Sequence, residues 1–89
     1  MDIKRFHVGD TVFTLAFPPS GKKEKAIIRE MYVRKVGKKY LHTAGDMLSY
    51  DQTQFHAEPD KPYLVQNLNA GYPMLLFDTR EEAEGFVRT

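Results

Sequence analysis

The stretch Ala26–Thr43, AIIREMYVRKVGKKYLHT, decides how the rest of the chain reads. Its first half fits two periods. Ile27, Ile28, Met31 and Val33 loosely trace a helical stripe. Against a helix stand the absence of an N-cap and three β-branched residues before Arg34. Gly37 followed by KKYLHT also has the form of a hairpin partner. The segment therefore reads as a strand of about ten residues with Ile27, Met31 and Val33 inward. Val36 lies three positions beyond Val33, so both point inward only if a bulge intervenes near Arg34-Lys35. Small barrels use bulges where their strands bend sharply. Gly37 supplies the permissive backbone of the turn, and Val33 and Leu41 supply core.

Working outward, TVFTLAF (11–17) alternates, with Phe13, Leu15 and Phe17 on one face and Val12, Thr14 and Ala16 on the other. Pro18-Pro19-Ser20-Gly21 ends that strand, because neither proline can donate to a ladder, and KKEK forms a charged loop tip. After KYLHT, Ala44-Gly45-Asp46 turns the chain. MLSYDQTQFHA (47–57) reads as a weak strand plus loop, EPDKP as a loop, and YLVQNLNAGYP as a short apolar run followed by an Asn-Ala-Gly turn. MLLFD is a continuous apolar strand buried on both faces. The period then changes. In DTREEAEGFVRT, Asp78 or Thr79 is the N-cap, each with a glutamate three residues on. Glu81, Glu82 and Glu84 lie towards the positive end of the dipole and Arg88 towards the negative end. Ala83, Phe86 and Val87 make one short apolar stripe.

Eighty-nine residues suffice for one core only, and 42% hydrophobic content places the chain among those that fold. The expectation is a single, mainly β domain over residues 1–89: a small SH3-like barrel of four to five antiparallel strands within about 10–77, closed by one short α-helix over about 79–88. An α+β sheet with one covering helix is the runner-up. There is no cysteine, so disulfides and thiolate metal sites are excluded and a reducing cytoplasm is the expected location. MDIKRFHVGD lacks the apolar core of a signal peptide, and no window has the apolar length of a membrane span.

The order of motifs resembles the short SH3-like barrel proteins of bacteriophages and mobile elements of Firmicutes. The resemblance rests on VGDTVF opening the first strand, VRKVGKKYLHT forming the central hairpin, and LLFDTREEAEGF closing the chain. That group is largely uncharacterised, so the resemblance implies a barrel and an accessory role but no catalytic residues. VGD and KVGKKY also look like the KOW element of ribosomal and transcription-factor barrels, where a basic loop meets RNA. The chain departs from that pattern between Gly9 and Lys25, where AFPPSGKKEKA looks inserted.

Charge is uneven. Residues 1–44 hold ten Lys/Arg against four Asp/Glu, and residues 45–89 hold three against eight, for a net of +1. The basic residues Lys22, Lys23 and Lys25 fall on the first loop and Lys35, Lys38 and Lys39 on the hairpin tip. Arg29 and Arg34 lie on the strand between. With Tyr40 as a stacking group, these are the candidates for sequence-independent nucleic-acid contact. A ten-residue strand spans roughly 33 Å, so the two lysine clusters are expected at opposite ends of the barrel. Tyr63 and Tyr72, in an apolar segment, are the candidates for a protein interface.

The three histidines lack ligand-type spacing, no nucleophile has a catalytic context, and a small barrel fills its interior with its own side chains. No catalytic residue, metal or cofactor is therefore expected, and no small-molecule substrate or membrane. The expected function is macromolecule binding. A protein partner or homo-oligomer is favoured over nucleic acid because the net charge is near zero.

Overall fold

The computed structural model describes residues 1–48, 50, 52–68 and 71–89. Six strands, β1 (Thr11–Ala16), β2 (Ile27–Val36), β3 (Leu41–Ala44), β4 (Thr53–Ala57), β5 (Leu64–Gln66) and β6 (Leu75–Phe77), are followed by helix α1 (Arg80–Arg88). Each strand pairs antiparallel with the next, and β6 returns to β1 to close a barrel. The fold class is thus as expected, a mainly β small barrel with one C-terminal helix, but the strand count of four to five is corrected to six. The extra strand is β5, three residues long, which the sequence shows only as a short apolar run, whereas β6 is the strand read at MLLFD. Elements so short leave almost no alternation to detect.

The reading of Ala26–Val36 as strand rather than helix holds, and so does the bulge. Val33 pairs with Thr43 and Lys35 with His42, so Arg34 is the extra residue. Val36 is thereby returned to the inner side, where it packs on the core. Ile27, expected inward, is 64% exposed. It shares its face with Met31, but β2 is longer than the barrel is deep, and its first residues project past the end.

Two apolar clusters stabilise the molecule. Inside the barrel, Val12, Met31, Val33, Leu41, Phe55, Leu64 and Leu76 pack together. The second cluster lies outside the barrel wall, where Leu15, Leu75 and Phe77 meet Ala83 of α1. Phe17, Ile28, Tyr63, Val65, Phe86 and Val87 pack around them. This explains why β6 is apolar throughout. Leu76 faces the interior while Leu75 and Phe77 face the helix, so both faces of the strand are dry. Thr14 is fully buried, and its hydroxyl lies 3.4 Å from both the Arg29 carbonyl and Met31 Sδ. Burying a hydroxyl is tolerable only with such partners. Thr79, not Asp78, is the N-cap of α1: its Oγ1 accepts from the Glu82 amide at 3.2 Å.

Because the strands form a simple meander, their connections alternate between the two ends. One end holds the β2–β3 and β4–β5 turns and the N-terminal segment. There a 3-10 turn over Ile3–Arg5 inserts Ile3 and Phe6 as a plug against the interior cluster. The Met1 ammonium donates to the Lys61 carbonyl, and Arg5 pairs with Asp78. The opposite end holds the β1–β2, β3–β4 and β5–β6 connections, and no comparable segment closes it among the described residues.

Candidate functional site: the open end of the barrel

Large exposed apolar side chains are concentrated at this second end. Ile27, Met47, Leu48, Tyr50, Leu68 and Tyr72 are exposed there, and among the described residues only Val8, near the plugged end, adds to the set. Leu48 is 89% and Tyr50 98% exposed. Single exposed hydrophobics are ordinary on a protein surface, but five on two neighbouring connections, with Ile27 at the adjoining start of β2, are not. The sequence reading missed Met47, Leu48 and Tyr50 because it assigned them to a weak strand. The strand begins only at Thr53, so these side chains sit on the connection instead. The available signal was MLSY directly after the Ala44-Gly45-Asp46 turn, an apolar group where a polar one normally stands.

Local contacts hold the crown of connections in place. The Tyr72 ring lies over Gly21, which has a φ of +74°. Arg34 donates from Nη1 to the Asp46 carbonyl at 3.4 Å, and Asp46 Oδ1 accepts from the Leu48 amide at 2.8 Å. These bonds fix the start of the β3–β4 connection with its apolar side chains outward. The Asn-Ala-Gly turn expected at 69–71 falls mostly outside the described residues.

The two candidate interface tyrosines separate. Tyr72 stands 57% exposed at the crown. Tyr63 lies beneath α1, its ring 5.5 Å from those of both Phe77 and Phe86, where it serves as core.

The basic candidates divide between the ends, as the length of β2 requires. Lys22, Lys23 and Lys25 are at the crown, and Lys38 and Lys39 on the far hairpin tip. Lys23 is engaged structurally: its Nζ donates to the Thr89 carbonyl at 3.0 Å and stands 4.5 Å from the Phe86 ring centroid. A cation there complements the negative end of α1. Arg29 is exposed on β2 near Gly45, and Arg34 is held at the bulge. Glu24, Glu30 and Asp46 are exposed among these cations. Lys35 faces the half-buried His42 across the ladder. Burial, and then the Lys35 charge, lower the His42 pKa below 6.5.

Lys38, Lys39 and Tyr40 join His56 and Asn67 around a surface cavity of about 510 Å³ beside the plug. A second groove of about 450 Å³ runs between the N-terminal segment and α1, lined by Met1, Pro62, Phe77 and Phe86 with Arg5 and Glu82. Among the described residues no group of three His, Asp or Glu is placed to hold a metal ion, and no helix is long and apolar enough to cross a membrane. No protein-family model, curated protein or solved structure matches the chain.

Proposed function

We propose that the chain is a non-enzymatic protein-binding module, an SH3-like barrel of phage or mobile-element type that docks a partner protein on the open end of its barrel. One observation carries the reading: the exposed apolar side chains gather on two connections and the first residue of β2 at one end, while the other end is plugged. Aliphatic groups beside tyrosines, with few paired charges, have the chemistry of a protein interface core. A surface built for polyanions would instead show one sign of charge, and Glu24, Glu30 and Asp46 interrupt the cations here. The accessory role of phage type is supported by the VGDTVF, VRKVGKKYLHT and LLFDTREEAEGF order alone.

A second reading, sequence-independent nucleic-acid contact, is favoured by the cavity that brings Lys38, Lys39 and Tyr40 together with His56 and Asn67. The two readings part in one experiment. Retention of partners from extracts of the source cell is compared for the native protein, a Leu48→Asp/Tyr50→Ser/Tyr72→Ser variant and a Lys35→Glu/Lys38→Glu/Lys39→Glu variant. The protein reading expects loss only in the first variant, unaffected by nuclease. Loss confined to the lysine variant, or on nuclease treatment, transfers the function to the hairpin.

A further inference from the structure

Among the described residues, the ladder leaves a length of the β2 edge uncovered. β2 pairs with β1 over Ile27–Tyr32 but with β3 only over Tyr32–Val36, so residues 27–31 have a strand on one side alone. Val33 tells which backbone groups face the uncovered side. Its amide donates to the Asp10 carbonyl at 2.9 Å, and its carbonyl accepts from the Gly9 amide at 2.8 Å, so both point to the β1 side. Backbone groups alternate sides along a strand, and no irregularity interrupts β2 before Arg34. Residues 27, 29 and 31 therefore bond towards β1, and the N–H and C=O groups of Ile28 and Glu30 point away from it. Among the described residues nothing bonds to those four groups.

We propose that this edge accepts an extended segment of a partner protein as an added strand, bonded through its main chain to Ile28 and Glu30. The inference rests on the crown being a protein-docking site and supplies the way the partner is held. The edge begins where β3 ends, at the Tyr32–Ala44 pair, and the β3–β4 connection that leaves Ala44 carries Met47 and Leu48. Main-chain bonds and apolar anchors are thus adjacent, the two components of recognition by strand addition.

Charge decides the occupant. In a two-fold antiparallel pair every side chain keeps its face. The only such register that uses all four free groups pairs Ile28 with Glu30 and sets Arg29 against Arg29 at the narrow spacing of a non-hydrogen-bonded pair. Like charges directly opposite are destabilising, so a second copy is disfavoured. A foreign strand places an acidic side chain against Arg29 and, two residues away on the same face, an aliphatic one against Ile27.

The test uses backbone amide exchange and chemical shifts of the intact protein, alone and with a blocked synthetic heptapeptide of alternating valine and threonine carrying one aspartate. In the free protein the Ile28 and Glu30 amides exchange fast while those of Arg29 and Met31 are protected. Saturating peptide slows exchange at Ile28 and Glu30. Glu30→Pro, which removes an outward donor and spares the β1 ladder, abolishes that response, and Arg29→Glu weakens it several-fold. Slow exchange at Ile28 and Glu30 in the free protein would mean the edge is already covered and would overturn the proposal. Protection that rises with protein concentration would replace the foreign strand with a second copy. Peptide shifts confined to Met47, Leu48, Tyr50 and Tyr72 would leave crown docking standing and remove strand addition. Absence of any shift overturns it as well.

Discussion

Tyr72 lies so close over Gly21 that a Cβ on the glycine would come within 2.6 Å of the tyrosine ring. Gly21 also has a φ of +74°, where an L side chain is strained. Two independent costs therefore meet at one position. Gly21→Ala is expected to lose about 1–2 kcal/mol of stability in urea unfolding, with Tyr72 displaced. Gly71→Ala is the comparison: it has a similar φ of +83° but open space around a Cβ, so only the backbone term applies. Equal losses at the two positions would show that the ring contact contributes nothing.

Helix α1 is held by its ends and by its packing, not by its composition. Gly85 lies mid-helix, which disfavours the isolated segment by about 1 kcal/mol. Thr79→Ala removes the cap on the Glu82 amide and is expected to cost about 1 kcal/mol. Lys23→Met should cost less, a few tenths of a kcal/mol or somewhat more, because the exposed ammonium is screened by salt. The signature that identifies the dipole contribution is its decline between 0.05 M and about 1 M salt. A Lys23→Met loss independent of salt would assign the effect to packing on Phe86 instead.

His42 gives the molecule a pH dependence of definite sign. Its pKa is lowered in the folded state by burial and by Lys35, so in the acid range the unfolded chain binds the extra proton more readily. Stability is therefore full above the ordinary histidine value of 6.5 and declines as the pH falls through it towards the folded value. His42→Gln should flatten that part of the stability profile measured by denaturant midpoints between pH 8 and pH 5. Lys35→Gln should flatten it in part, because it removes only the second cause. An unchanged slope in both variants would place the pH sensitivity elsewhere.

What the sequence disclosed follows from how much pattern each element carries. β2 was legible, bulge included, because ten residues give enough alternation for the Val33–Val36 spacing to stand out. The helix was legible from its cap and acidic first turn. β5 was not separable as a strand, since three residues hold barely one period, while β6, equally short, was legible from the unbroken apolar run MLLFD. The open end was the least legible. Whether Leu48 is a strand residue or a loop residue depends on where β3 and β4 stop pairing, and local sequence does not encode that. The fate of Tyr63 likewise depended on α1 folding back over β6, a contact between distant segments. Lys23 read as a free cation because its partners, Phe86 and Thr89, lie more than sixty residues away.

The bulge yields a prediction about register. On β2 the side chains run Val33 in, Arg34 extra, Lys35 out and Val36 in, while β3 runs Thr43, His42 and Leu41 without interruption. Deleting Arg34 leaves Val33 opposite Thr43, Lys35 opposite His42 and Val36 opposite Leu41, so no side chain changes face. What is lost is the local bend and the Arg34 bond to the Asp46 carbonyl. The deletion is therefore expected to fold, with a loss of about 1–2 kcal/mol and the same β2–β3 contacts by NMR. Inserting one alanine between Leu41 and His42 is a change of equal size with the opposite consequence. It moves either Leu41 or Thr43 off the inner face, and both are fully buried. That variant should lose several kcal/mol or fail to fold. If the deletion is as damaging as the insertion, the bend at Arg34, and not the register around it, is what closes the barrel.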